Sequence, residues 1–192
     1  MRDLAALSFV TLDGVMQSPS MPEEDISGGF DQGGWAAPYW DGVMPHVAHV
    51  AMSRPYDILF GRATYDLFAR HWPNAPKSDL SDRLNAAQKY VATSRSDPLT
   101  WENSVALKGD TLAAVARLKA EDGPLLQIHG SPALIQTLQA NDLIDEFRVW
   151  TFPVVVGAGK RLFEDSVVPR HYAVQGVEAL ENGVIHHTLR RA

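Results

Sequence analysis

Residues 125–140 read LLQIHGSPALIQTLQA and contain the pattern that decides the fold. The run at residues 125–128 is short and apolar, which is typical of a buried strand. Ser131 then stands as a helix cap before Pro132 at the first helical position. One apolar face follows, made by Leu134, Ile135 and Leu138. A strand, a tight turn and a helix therefore succeed one another, which is the repeating unit of a parallel sheet.

The same unit recurs along the chain. Short apolar runs at residues 4–10, 57–60, 90–93 and 105–107 predict strands, and helical patterns lie at residues 38–52, from Gly61 onward and at residues 111–120. Residues 146–156 predict a long strand bent by Pro153. Residues 172–180 and 184–189 predict a hairpin, because Asn182-Gly183 favours a tight turn. We therefore predict an α/β fold with a central mixed sheet, helices on both faces and a C-terminal antiparallel hairpin.

The composition fits a single domain over residues 1–192, with 45% hydrophobic and 21% charged residues. The chain has no cysteine, which excludes disulfides and thiol nucleophiles and fits a reducing compartment, so we expect a cytoplasmic protein. A net charge of -6 without a basic stripe argues against nucleic acid as a partner. No apolar stretch approaches the roughly 18 residues that a membrane span needs.

A long polar segment follows the first predicted strand. Residues 17–37 are rich in glycine, proline, serine and acidic residues, which favours a loop. Loops longer than about 12–15 residues in compact domains usually act as lids or binding loops. We expect a mobile lid with Trp35 and Trp40, and plain disorder is the alternative.

Polar turns follow four of the predicted strands. In open α/β sheets, ligands bind in the crevice at the carboxyl ends of the strands. Two of these turns begin a helix, whose free N–H groups and positive dipole end attract phosphate. We therefore predict a dinucleotide laid across the turns Thr11-Leu12-Asp13-Gly14, Gly61-Arg62-Ala63-Thr64, Thr93-Ser94-Arg95-Ser96 and His129-Gly130-Ser131-Pro132.

Three blocks of sequence stand out together: Thr11 to Gly14, Phe60 to Tyr65 with Trp72-Pro73, and Leu143-Ile144-Asp145-Glu146 running to Pro153, Gly157, Gly159 and Phe163. With these blocks the chain resembles the dihydrofolate-reductase-like superfamily over nearly its whole length, and especially the riboflavin-pathway reductase domain and its stand-alone bacterial relatives. The similarity implies NADPH as cofactor, a homodimer, and a nitrogen heterocycle (pterin-, pyrimidine- or deazaflavin-like) or its sugar conjugate as substrate.

The resemblance also implies roles for single residues. It assigns the adenosine phosphates to Gly61, Arg62 and Thr64, the adenine and its ribose to Thr93, Ser94 and Arg95, and the pyrophosphate to the turn His129, Gly130 and Ser131 with Leu134. Substrate contacts are expected at Asp13, Trp40, Gly157, Gly159 and Phe163. Two positions depart from the dihydrofolate reductases. At the first, His129-Gly130 takes the place of a Gly-Gly pair. At the second, no residue matches the proton donor of that family, so we nominate Asp41, which lies in the helix predicted at residues 38–52.

Other motifs point to no additional chemistry. His46 and His49 share a helix face without a third ligand at metal spacing, and His186 and His187 alternate across a strand, so we predict no metal site. The turn from Gly157 to Lys160 lacks the serine or threonine of a phosphate loop. Besides a reductase, two functions stay open: a nucleotide- or flavin-binding module without catalysis, and a dimeric scaffold with an empty cleft.

Overall fold

The computed structural model describes residues 1–164 and 168–192. Within these residues, eight strands form one sheet in the order β4-β3-β2-β5-β1-β6-β8-β7. The first six strands in that order are parallel, whereas β8 pairs antiparallel with both β6 and β7. The strands are β1 (Leu4–Thr11), β2 (Tyr56–Gly61), β3 (Lys89–Ala92), β4 (Ser104–Leu107), β5 (Leu125–His129), β6 (Glu146–Phe152), β7 (Tyr172–Ala179) and β8 (Ile185–Arg191).

Helices cover both faces of this sheet, which confirms the predicted three layers. They are α1 (Trp40–Met52), α2 (Arg62–His71), α3 (Asp79–Ala86), α4 (Thr111–Ala120) and α5 (Pro132–Ala140). Apolar residues of α1, α2 and α3 enter one buried cluster, and those of α4 and α5 enter a second. Successive strand residues point to opposite faces, so Ile128 joins the second cluster while its neighbour His129 faces the first.

Three details differ from the sequence prediction. The strand expected over residues 146–156 ends at Phe152, because Pro153 has no N–H to offer a neighbouring strand. The helix α3 was not predicted, although Ser78 and Ser81 form a capping box at its start. Ser131 does not cap α5 with its side chain, because its backbone is left-handed, with φ of 60°.

The segment after β1 is irregular, as predicted, but it is held to the body of the protein. The indole N–H of Trp35 donates to the carbonyl of Gln17 at 2.8 Å, and the Trp35 ring packs on Phe152 with centroids 5.3 Å apart. The amide of Gln17 in turn donates to the carbonyls of Asp25 and Ser27. Trp35 is therefore a buried residue that attaches the loop to β6, and the mobility of the loop stays a prediction.

Candidate active site

A cleft of about 860 Å³ opens at the carboxyl ends of the central parallel strands. Its walls come from β1, β5 and β6, from α1 and α2, and from the loop after β1. This volume lies within the range of ligand-binding pockets, about 300–1,000 Å³. The position is the one that the topology of an open α/β sheet favours for a ligand.

Two helix N-termini meet at this cleft. The start of α2 lines it with Arg62, Ala63 and Thr64, and the start of α5 lines it with Ala133 and Leu134. Neither helix has a side-chain cap or an acidic residue in its first turn. Their free N–H groups and positive dipole ends therefore face the same space, which suits an anion such as phosphate.

The turn between β5 and α5 holds two consecutive left-handed residues. Gly130 has φ of 61° and Ser131 has φ of 60°, whereas His129 still belongs to the strand. A Cβ at Gly130 would meet the Thr64 methyl at 3.4 Å, so this glycine lets the turn lie close to α2. The sequence suggested that the side chain of His129 would lie in this turn. In the structure the turn carries the side chain of Ser131, because His129 is the last residue of β5.

Arg62 and Arg95 form a closed ion-pair cluster with two aspartates. Asp66 accepts from Arg62 at 2.8 Å and from Arg95 at 2.9 Å. Asp97 pairs with Arg95 at 2.7 Å and also contacts Arg62. Only 11% of the Arg62 side chain is exposed, against 55% of Arg95. A phosphate at this site would have to compete with both carboxylates, and Arg95 is the more accessible cation.

The floor of the cleft is mostly apolar. Leu7 and Phe9 of β1, Trp150 of β6, and Met44 and Val47 of α1 line it. The indole N–H of Trp150 is already donated to His46 at 3.0 Å. A flat ring could therefore pack on this floor with little polar contact to Trp150.

His129 adds a buried imidazole to this floor. Burial, together with the positive charge of Arg148, lowers the pKa of His129 to about 4. The ring is therefore neutral at physiological pH. It lies 6.3 Å from the ring of Phe68, measured between centroids.

The loop after β1 supplies the rim, including Ser18, Ser20, Glu24 and Asp25. The carboxylate of Glu24 accepts from the backbone N–H of Ser20 at 2.8 Å, and burial raises the pKa of Glu24. Asp25 instead forms an ion pair with Lys160, and its pKa is lowered by hydrogen bonds from Lys160 and Ser27 that outweigh the effect of burial. Sequence reasoning missed Glu24, because nothing distinguishes it from the other acidic residues of a polar loop.

The structure brings most of the predicted cofactor residues to the cleft. Those that line it are Gly61, Arg62, Thr64, Arg95, His129, Gly130, Ser131 and Leu134. Thr93 and Ser94 do not line it. Thr93 instead shapes the turn before Arg95, since its hydroxyl accepts from the Arg95 N–H at 3.0 Å. The roles of these residues in binding stay predictions.

The predicted acid and two aromatic contacts lie elsewhere. Asp41 is exposed in the first turn of α1 and does not line the cleft, so it lacks the desolvation that a proton donor needs. Trp40 packs edge-on against Phe9, with centroids 5.0 Å apart. Phe163 packs on Phe147 at 5.3 Å, in the cluster on the opposite face of the sheet.

Asp13 and the two glycines after β6 have structural tasks. Asp13 accepts from the hydroxyl of Thr11 at 2.6 Å and from the N–H of Gly157 at 2.8 Å. These bonds, led by that of Thr11, lower the pKa of Asp13 despite its partial burial. A Cβ at Gly159 would lie 2.7 Å from Val15 and 2.9 Å from Phe30, so only glycine fits there. None of the three predicted substrate residues lines the main cleft.

Within residues 1–164 and 168–192, no group of three or more histidine, aspartate or glutamate side chains could hold a metal ion. In the same part of the chain, every helix is too short or too polar to cross a membrane.

Comparisons with known proteins agree with this architecture. The family model of the RibD C-terminal domain matches residues 3–186. The Bacillus subtilis (strain 168) proteins YyaP and YwjB, both uncharacterized, are 30% and 29% identical over 132 and 133 residues. These alignments cover 67% and 69% of this chain and 70% and 72% of the two relatives.

Solved structures show the same fold at low identity. A protein from Shewanella sp. PV-4 that is named for riboflavin biosynthesis is 19% identical, with a TM-score of 0.68 over 99% of both chains. Enterococcus faecalis dihydrofolate reductase, solved with NADP(H), is 13% identical, with a TM-score of 0.62 over 98% of this chain and 96% of its own. A pyrimidine reductase-like protein from Corynebacterium diphtheriae is also 13% identical, with a TM-score of 0.62 over 100% and 92%.

Proposed function

Because this chain belongs to the RibD C-terminal domain family, we propose that it is an NADPH-dependent reductase of a small nitrogen heterocycle or its sugar conjugate. The observation that carries the proposal is the meeting of two uncapped helix N-termini beside an apolar cleft floor. The first feature suits the phosphates of a dinucleotide, and the second suits stacked rings.

The residues of the cleft fit NADPH. The N-termini of α2 and α5 would hold phosphates, with Gly130 allowing the close approach of the backbone. Arg95 and Arg62 would add cations for the phosphate that distinguishes NADPH from NADH. When bound, NADPH supplies the hydride, and the protein has only to orient the substrate, exclude water and help to move a proton.

The chain would carry out these tasks with the floor and the rim of the cleft. Leu7, Phe9 and Trp150 would orient a flat ring and keep water from it. Glu24 is the cleft carboxyl whose pKa is raised by burial, so it would keep a proton closer to neutral pH than an exposed acid does. We therefore assign proton donation to Glu24, in place of Asp41.

Thermal-shift titration of the purified protein tests cofactor binding. A ligand that binds only the folded state adds about 2.7 kcal/mol of stability at a concentration of 100 times Kd. NADPH should therefore raise the melting temperature, and NADH should raise it less. Consumption of NADPH with a panel of pterins and aminopyrimidines would then demonstrate turnover. No stabilisation by NADPH would contradict the proposal.

A nucleotide- or flavin-binding module without catalysis is the second candidate. It is favoured by the position of Asp41, which leaves the acid suggested by sequence outside the cleft. Stabilisation by NADPH or flavin mononucleotide, without turnover of any ring in the panel, would favour this candidate over the reductase.

We also propose a homodimer and a cytoplasmic location. The hairpin of β7 and β8 exposes three large apolar side chains, namely Val174 (63% exposed), Val177 (66%) and Ile185 (44%). A second copy packed on this hairpin would remove them from water. Sedimentation velocity should give the mass of a dimer, and Val177→Lys should shift the protein towards monomer. A monomeric parent protein would contradict the homodimer.

A further inference from the structure

His129 differs from its neighbours in the floor of the cleft. The floor residues from β1 and β6 are Leu7, Phe9 and Trp150, and the single indole N–H among them is already bonded to His46. His129 is 8% exposed, and its ring lies 6.3 Å from each of the rings of Phe68 and Tyr56, measured between centroids. Whether His129 offers a hydrogen-bond donor or an acceptor therefore determines which polar group of a ring bound on the floor it can pair with.

Gln127 determines which nitrogen of His129 carries the proton. Its side-chain amide N–H donates to the carbonyl oxygen of Ala51, which can only accept. The amide group is therefore oriented, and its Oε1 lies 3.0 Å from Nε2 of His129. Because a carboxamide oxygen also only accepts, Nε2 of His129 must be the protonated nitrogen.

The other nitrogen, Nδ1, is therefore a bare acceptor. Burial keeps the imidazole neutral, with its pKa lowered to about 4. No residue in the described part of the chain donates a hydrogen bond to Nδ1. Gln127, two residues nearer the N-terminal end of β5, occupies Nε2. Nδ1 is therefore the nitrogen left for a ligand in the cleft, which His129 lines.

We propose that His129 determines substrate specificity by accepting, at Nδ1, a hydrogen bond from an N–H group of a flat ring bound on the cleft floor. This inference rests on the proposed function, since the ring would be that of the substrate. A ring with a carbonyl or bare nitrogen at this point would place two acceptors face to face and leave both unpaired. The substrate class is thus a heterocycle with a ring N–H or an exocyclic amino group at the inner end of the cleft.

Two rings of the same shape test the proposal. Isothermal titration calorimetry should give tighter binding for 2,4-diaminoquinazoline, which carries N–H donors, than for quinazoline, which has none. His129→Leu should weaken binding of the diamino ring by about 5- to 150-fold, because a buried donor would lose its partner. Binding of quinazoline should not weaken, because its bare ring nitrogens would no longer face the acceptor Nδ1. His171→Leu, which changes an exposed histidine outside the cleft, is the matched control.

Nitrogen NMR of histidine-labelled parent protein gives a readout that does not depend on a mutant. In the free protein, Nε2 of His129 should be protonated and Nδ1 unprotonated, and the diamino ring should shift the Nδ1 signal. A protonated Nδ1 would overturn the proposal, as would equal affinity for the two rings or binding of neither. Titration with NADPH tests the proposed function independently. If the protein binds NADPH but does not discriminate between the two rings, only the role of His129 is refuted.

Discussion

The hydroxyl of Ser131 accepts a hydrogen bond from the backbone N–H of Gly61 at 3.0 Å, across 70 positions of sequence. This contact joins the turn that ends β2 to the turn that ends β5. Both turns begin a helix whose N-terminus faces the cleft. One side chain thus links the two helix N-termini that face the cleft.

Two substitutions of Ser131 distinguish the contribution of this hydrogen bond to stability from the cost of its left-handed backbone. Ser131→Ala should destabilise the protein by about 0.5–1.5 kcal/mol, because the bond is lost while the left-handed backbone is kept. Ser131→Gly should cost less, since glycine relieves about 1 kcal/mol of left-handed strain. Urea unfolding measures both values. A glycine variant less stable than the alanine variant would contradict this reading.

Arg62 and Arg95 should give the preference for NADPH over NADH. A hydrogen bond to a charged group contributes about 1.5–3 kcal/mol, so Arg62→Ala and Arg95→Ala should each weaken NADPH binding by about 10- to 150-fold and barely change NADH binding. Asp97→Asn should tighten NADPH binding, because it frees both arginines from a competing carboxylate. Dissociation constants at several salt concentrations decide this. Equal losses for both cofactors would mean that the arginines do not recognise the additional phosphate.

Glu24→Gln and Asp41→Asn compare a cleft carboxyl with an exposed one. The raised pKa of Glu24 means that its proton is held at low pH and lost as pH rises through that pKa, so parent turnover should fall with increasing pH. Glu24→Gln should lower turnover, and the loss should shrink in acid, where the solvent supplies protons. Asp41→Asn should leave the pH profile of kcat unchanged. The reverse result would return the role to Asp41.

His186 should make stability fall in mild acid. Burial, aided by the charges of neighbouring histidines, lowers the pKa of His186 to about 4. Its neutral form is favoured in the folded state, so its contribution is complete above the unfolded pKa of about 6.5 and is lost as pH falls towards 4. The loss for one such histidine is up to about 3 kcal/mol. His186→Phe should flatten the slope of unfolding free energy against pH, and an unchanged slope would count against this assignment.

Tyr56 and Tyr65 offer a matched pair of buried hydroxyls. The Tyr56 hydroxyl has no hydrogen-bond partner in the described residues, whereas the Tyr65 hydroxyl accepts from the backbone N–H of Trp101 at 2.9 Å. Tyr56→Phe should therefore stabilise the protein by about 1 kcal/mol, and Tyr65→Phe should destabilise it by a similar amount. Thermal melts compare the two variants. Destabilisation by Tyr56→Phe would reveal a partner for its hydroxyl.

Local signals in the sequence were sufficient to predict most of the fold. The Asn182-Gly183 turn and the apolar face of α5 depend on neighbours a few residues away, and both occur as predicted. The site depends on distant contacts. Arg62 meets Asp97 from 35 positions away and Asp13 meets Gly157 from 144 positions away, which no local pattern encodes. The inward direction of His129 was equally hidden, because it follows from the alternation of a strand whose register had to be known.

The strand order has a consequence for synthesis on the ribosome. In the sheet, β1 lies between β5 and β6, and its residue Leu4 pairs with Leu126 while Ala5 pairs with Glu146. The N-terminus is synthesised first. Both edges of the apolar strand β1 therefore stay unpaired until more than a hundred further residues have been made. Contacts of such long sequence separation close slowly. A nascent chain stalled before β5 would therefore expose β1 and lack the part of the cleft floor that His129 and Trp150 supply. Such a chain is expected to bind chaperones and to be at risk of aggregation.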